Sequence, residues 1–402
     1  MSGKHSNITI FSNIILALLF LFSNASAQET VEKIYVTGKP ASSSHLRRTI
    51  VEYFKKQGKT AQIPDNSNLK TLFPGQNQKI IVTLLKDEEK ESQEEKQTVK
   101  VINENVPIVP CEFLAFSNHP EKITKRGLLY QAGLIRHKPV RLRYYHLGDK
   151  NAEPHYVGFY LVNNTSKPAR THIVESLGGP SKNYMLAGHM NNLKFFSYKG
   201  RNIGFIEEIP PHSVKMIRRV LLKPGEVVSS TADLHLLQGG PLQIVMYASD
   251  KKDSDLAVEL LTSKTDRHAR GAYPLTKIVT RGVFSTQDGE SIYTIADTPL
   301  EDIFKGRKIR GNYGVMYEFD LTLKNPYPEE RKVSFYFQPR GGIATATFSF
   351  DNRPVSVGFT PAYKMVKLCS IKVPAGGKKK VIVKTMPEDA SNYPVRLIIM
   401  NK

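Results

Sequence analysis

The chain has no tryptophan and only two cysteines in 402 residues. Two thiols cannot build the disulfide framework of a small secreted scaffold, so hydrophobic cores must stabilise the fold. An apolar fraction of 40% is enough to form them. Cys111 and Cys369 allow one bridge or two free thiols, and nothing in the sequence brings them together. Chemical signatures are missing as well. There is no Gly-x-Ser-x-Gly elbow, no phosphate-cradling glycine loop and no dinucleotide fingerprint. His-x-His and His-Glu-x-x-His spacings are absent, as is the Asp-rich spacing that organises calcium. The sequence therefore nominates no catalytic, cofactor-binding or metal-ligating residue, and no cofactor is expected. Catalysis is not excluded, because reacting groups can converge in space from distant positions.

Beyond the N-terminus no apolar run approaches the ~20 residues of a bilayer span. The N-terminus itself has Lys4, then the apolar run Ile14–Phe22, then Ala25-Ser26-Ala27. A positive start, a short apolar stretch and small residues at the cut site predict a signal peptide over 1–27, cleaved after Ala27. An uncleaved anchor is the alternative. The mature chain is then expected to be secreted or in the extracytoplasmic cell envelope, with no integral membrane span after cleavage.

The net charge is +20, and loss of Lys4 with the signal peptide leaves +19. Such a balance favours anionic partners. An anionic cell-envelope polymer or a protein partner fits an exported chain; nucleic acid does not, and none is expected. The alternative is a generally basic surface with no dedicated partner, since the basic residues are dispersed.

Residues 28–105 read as a small α/β domain. Lys33–Thr37 is a strand. Ser42–Ser44 offers an N-cap, and Leu46, Ile50, Tyr53 and Phe54 recur at helical spacing until Gly58. Arg47, Arg48, Lys55 and Lys56 fall off that stripe and are expected on a solvated outer face. Lys79–Leu85 and Gln97–Ile102 read as paired strands around an exposed acidic tip, Asp87–Lys96. Val106–Pro110 is the linker, because each Pro removes a ladder donor.

From there to the C-terminus the expectation is mainly β: two tandem antiparallel β-sandwiches, 106–250 and 274–402, joined by a polar linker, 251–273, holding a short helix at Leu256–Leu261. Strand signals and Gly/Pro turns alternate without intervening helices. Tyr317, Phe319, Leu321 and Leu323 alternate with Glu318, Asp320 and Thr322, as a half-buried strand should. Five ordered matches at an offset near 150–160 residues predict a duplication, beginning with Ile123–Tyr130 against Ile278–Ser285.

Nine of the 11 histidines lie between His119 and His268. His146 and His155 flank one turn and face each other if it is a hairpin. With His172 and His189, and with Glu153 or Glu175, they are the residues from which a zinc or copper site would be built. Dispersed hydrogen-bonded histidines are the alternative. Alternation places Tyr145 with Arg141 and Arg143 on the outer face of its strand and Tyr144 inside, which offers a sheet face for sugar rings and anionic groups.

The segments Ile123–Tyr130, Arg143-Tyr144-Tyr145-His146, Asn163–Ala169, Gly179-Pro180-Ser181 and Gly188-His189 resemble a pattern in uncharacterised exported bacterial β-sandwich proteins. The likeness covers roughly residues 111–250. It implies bacterial export and no chemistry. The leading functional expectation is a non-catalytic secreted or cell-envelope binding or structural protein with a basic surface. The alternative is an envelope-acting hydrolase or a His-ligated metalloprotein centred on the middle domain.

Overall fold

The structure is a computed structural model that describes residues 31–64, 68–85, 94–250, 271–303 and 308–401. The expected signal peptide, most of the acidic tip and the expected helix at Leu256–Leu261 lie outside the described residues. The described chain is mainly β, with two helices. None of its helices is long and apolar enough to cross a membrane.

The N-terminal segment runs β1 (Glu32–Thr37), α1 (Ser43–Lys55), β2 (Thr60–Gln62), β3 (Asn77–Leu85) and β4 (Glu94–Asn103). The Ser42 hydroxyl accepts from the His45 amide at 3.3 Å, which starts α1. Leu46, Ile50 and Phe54 on one stripe of α1 bury against Ile34 and Val36 of β1 and Val99 and Val101 of β4. Each such side chain contributes about 1.5–3 kcal/mol by leaving water. β1 pairs parallel with β4 and antiparallel with a strand from the next segment, so these strands extend a larger sheet.

That segment contains β5 (Phe113–Ser117), β6 (Lys122–Ile123), β7 (Gly127–Leu134), β8 (Val140–Gly148), β9 (His155–Asn163) and β10 (Ala169–Ser181). Then come α2 (Tyr184–Lys199), β11 (Gly204–Ile209), β12 (Ser213–Leu222), β13 (Val227–Gln238) and β14 (Leu242–Ser249). The C-terminal segment runs β15 (Ala272–Tyr273), β16 (Lys277–Ser285), β17 (Glu290–Ile295), β18 (Leu300–Glu301), β19 (Lys308–Ile309) and β20 (Met316–Lys324). It ends with β21 (Arg331–Pro339), β22 (Ala344–Phe350), β23 (Arg353–Thr360), β24 (Val366–Val373), β25 (Lys378–Thr385) and β26 (Val395–Asn401).

Strand order repeats. One sheet contains β5-β8-β13-β10-β11 and a smaller one β12-β9-β14-β7; the C-terminal segment has β16-β20-β25-β22-β23 and β24-β21-β26-β17. Numbered within each segment, leaving out the short β6, β15, β18 and β19, the two orders are identical. The first pair is parallel in both. The expected first residue match is misplaced: β16 takes the position of β5, whereas Gly127–Tyr130 lies in β7, whose counterpart is β17. Strands joined by Gly/Pro turns look alike, so local matching slipped by one strand. The two copies differ at one connection. Between β10 and β11 the chain inserts α2; between β22 and β23 it makes a two-residue turn, Asp351-Asn352, both at positive φ.

Helix α2 is a correction to the expectation that no helix intervenes. It is covered on two sides, by β10 and β13 and by β22 and β23. Gly188 permits this: a Cβ there would lie 2.2 Å from the Asp389 carbonyl oxygen. Asn183 caps the helix, its side-chain oxygen accepting from the Leu186 amide at 3.0 Å. The face of β8 opposite its own core is also covered. Tyr145 and Leu147 join the core containing Phe319, Phe335 and Phe348. Cys111 and Cys369 are both free thiols.

Candidate functional site

A cavity of about 530 Å³ opens between α1, α2 and strands β1, β10, β11 and β12. Its volume falls in the range of small-ligand sites, about 300–1,000 Å³. Charged side chains from every one of these elements line it.

The four lining carboxylates are all paired. Arg218 donates to Glu175 at 2.8 Å and to Glu52 at 2.7 Å, tying β12 to β10 and α1. Those two carboxylates hold the Arg218 guanidinium charged despite its burial. Lys56 bonds to Glu207, with Lys215 3.4 Å from the same carboxylate. Glu208 accepts from Arg170 at 3.0 Å.

Two of the lining cations are placed differently. Lys194 donates to the Leu177 carbonyl oxygen at 2.8 Å and has no carboxylate partner among the described residues. Burial lowers its pKa, and the neighbouring charges of Arg48 and Arg218 lower it further. Arg48 likewise has no carboxylate partner there. It bonds to the Tyr198 hydroxyl, donates to His45 Nδ1 at 3.1 Å and stands 4.8 Å from the Tyr198 ring centroid. His45 Nε2–H in turn donates to the Gly204 carbonyl oxygen at 3.0 Å, which leaves Nδ1 as the acceptor. Burial, aided by Arg48, brings His45 down to about 4, so it is neutral at pH 7. The result is two adjacent cations whose repulsion a bound anion would relieve. The hydroxyls around them are engaged: Thr49 donates to the His45 carbonyl oxygen and Ser176 to Asn191 Oδ1.

Arg48 and Lys55 are exposed, as a solvated outer face requires, whereas Arg47 and Lys56 are half-buried. Arg47 donates to the Ile63 carbonyl oxygen at 2.8 Å, and Arg48 and Lys56 also line the cavity. The expected Tyr–Arg binding face is also corrected. Tyr145, Arg141 and Arg143 are buried, because α2 and the C-terminal segment cover that side of β8. Arg141 pairs with Asp233 at 2.7 Å and Arg143 with Asp389 at 2.9 Å. Arg143 also donates to Asn192 and Thr231.

The histidines do not converge. β8 and β9 enter different sheets, so His146 and His155 form no hairpin pair. His146 bonds to Ser117 and the Pro120 carbonyl oxygen, His155 to the Glu153 carbonyl oxygen and His172 to Thr37. His189 bonds to Glu388 and Ser356, and Glu175 holds Arg218. Among the described residues no three His, Cys, Asp or Glu groups are placed to hold a metal ion. Sequence reasoning missed Lys194, Tyr198 and Arg218, because their helix and strand meet α1 only in the folded chain.

No protein-family model matches the chain, and no curated protein matches it. Among solved structures it is similar to tripeptidyl peptidase 2, at 10% identity and a TM-score of 0.19 over 82% of this chain; it spans only 26% of that one. An anti-sigma factor domain-containing protein gives 11% identity and a TM-score of 0.15, over 64% of this chain and 77% of that one. The tandem domain CBM22-1-CBM22-2 of Xyn10C from Paenibacillus barcinonensis gives 10% identity and a TM-score of 0.14, over 65% and 74%. At these scores the similarities carry no argument about activity.

Proposed function

We propose that the chain is an exported binding protein of the cell envelope, built as two tandem β-sandwiches, mainly antiparallel with a parallel first pair in each, after a small α/β segment. Its cavity between α1 and α2 takes an anionic group of an envelope polymer or protein partner, without chemistry at that site. The observation that carries this reading is the pair of cavity-lining cations Arg48, which is exposed, and Lys194, which is half-buried, neither with a carboxylate partner among the described residues. The single core shared by β5, β8, β10 and β13 with β7, β9, β12 and β14 supports the sandwich reading. The N-terminal pattern of Lys4, Ile14–Phe22 and Ala25-Ser26-Ala27 supports export.

The test is retention on purified cell-wall material. Retention should fall as salt rises from about 0.1 to 1 M, where the Debye length shrinks from about 10 to 3 Å. R48A/K194A should be retained less than the wild type at low salt. Equal retention of both proteins across the salt range contradicts the reading.

A further inference from the structure

Helix α2 presents a second constellation on the side facing away from β10. His189 Nδ1 lies 2.8 Å from Glu388 Oε2, and His189 Nε2 lies 2.7 Å from Ser356 Oγ. Glu388 is fully buried and is held by the hydroxyls of Thr345 at 2.5 Å and Thr347 at 2.7 Å. The buried Glu388 carboxylate accepts from His189 Nδ1–H, so in the neutral ring Nε2 is the acceptor and Ser356 donates to it. This is the order of groups that activates a serine: carboxylate, imidazole, hydroxyl. Gly188 packs against the Asp389 backbone, which fixes the neighbouring His189 beside Glu388. Ser356 is exposed, whereas His189 is buried.

We propose that Ser356, His189 and Glu388 form an acyl-transfer site that hydrolyses carboxylic esters with an apolar acyl chain. It is separate from the charged cavity and does not rest on it. Ser356 Oγ attacks the ester carbonyl carbon and its proton passes to His189 Nε2. The carbon–oxygen bond to the alcohol breaks, and the alcohol leaves with that proton. Water then attacks the acyl-serine, giving one proton to His189 Nε2, and the acid departs as the proton returns to Ser356 Oγ. Glu388 keeps the imidazole in the accepting tautomer and stabilises the imidazolium formed in each half-reaction.

The position of β23 fits this role. Among the described residues it ends its sheet, so alternate peptide N–H groups on its outer side have no strand partner there and can face a developing oxyanion. In the other copy of the fold, the corresponding edge of β11 is occupied by β1. Past Ser356 the chain exposes Phe359, Tyr363 and Met365. Phe359 is three residues, about 10 Å, along the strand, a distance an acyl chain reaches.

The direct test is labelling of the full chain by a fluorophosphonate, read by mass spectrometry of the Ser356 peptide, beside hydrolysis of p-nitrophenyl butyrate. The expected result is one adduct on Ser356 and turnover that is lost in S356A. Labelling should slow at least about a hundredfold in H189Q and also in E388Q, the second variant guarding against misfolding of the first. The wild-type labelling rate should rise with pH through the His189 titration. A hydroxyl that merely fastens β23 to α2 would take no adduct. An unlabelled Ser356, or labelling unaffected in a cooperatively folded H189Q or E388Q, overturns the proposal.

Discussion

Acid should unfold this protein through three buried histidines. His45, His146 and His172 are 5%, 0% and 4% exposed. Each neutral ring is already hydrogen-bonded. In His172, for example, Nε2–H donates to Thr37 Oγ1, because the Thr37 proton goes to the Asn202 carbonyl oxygen. Burial lowers His45 and His146 to about 4 and His172 to about 3, the last helped by Lys199 and His235. In the unfolded chain a histidine titrates near 6.5. The folded values lie below the unfolded one, so the unfolded state binds more protons between about pH 4 and 6.5. This stability is complete above that window and is lost as pH falls through it. From pH 7 to 5 each histidine should cost about 2 kcal/mol, and the three about 5–6 kcal/mol. That is comparable to the ~5–15 kcal/mol that holds a typical domain together. His189 works the other way. Its pKa is raised by Glu388, so its contribution is present below about 6.5 and fades as pH rises through the raised value. Urea unfolding at pH 7, 6 and 5 measures the loss. H172Q should flatten the pH slope by about one proton, whatever its effect on absolute stability. A slope identical in H172Q and wild type would refute the reasoning.

Two further predictions concern burial between the segments. R143M should destabilise by about 3–5 kcal/mol in urea unfolding, because it leaves the buried Asp389 carboxylate beside the Ser229 hydroxyl without its guanidinium partner. R143M/D389N should recover part of that loss; a cost below about 1 kcal/mol for R143M contradicts the ion pair's role. A thiol reagent should find two free thiols after denaturation without reductant, and in the native protein it should reach Cys369 before the buried Cys111. Burial raises both thiols, Cys369 to about 11, so native labelling should be slow at neutral pH. Equal native reactivity of the two would argue against the buried position of Cys111.

Much of the strand inventory was legible because half-buried strands alternate. Tyr317, Phe319, Leu321 and Leu323 all face the core as their spacing requires. The stripe of α1 was legible for the same reason, with a period of 3.6 in place of 2. Helix α2 left no such mark. Ala187, Gly188, Asn191, Asn192, Phe195 and Phe196 are all buried, so no polar face sets off an apolar one, and the adjacent asparagines read as loop. Alternation also misled on β8. It separated Tyr144 from Tyr145 correctly, but the side opposite the first core is covered by a second one. Pairing between consecutive strands was illegible, since β8 and β9 part into different layers. The cavity was hidden for a topological reason: Arg48 and Lys194 meet only because β1 lies along β11, a contact that leaves no local trace in sequence.

The most direct measurement is a calorimetric titration of the full chain with two polyanions of different chemistry, an oligogalacturonate and a polyglycerol phosphate. Charge-assisted hydrogen bonds contribute about 1.5–3 kcal/mol each, so R48A and K194A should each weaken the tighter complex by roughly ten- to a hundredfold. Binding should also take up protons above neutral pH, as the anion raises the lowered pKa of Lys194. Heats indistinguishable between wild type and R48A/K194A for both polyanions would contradict the account.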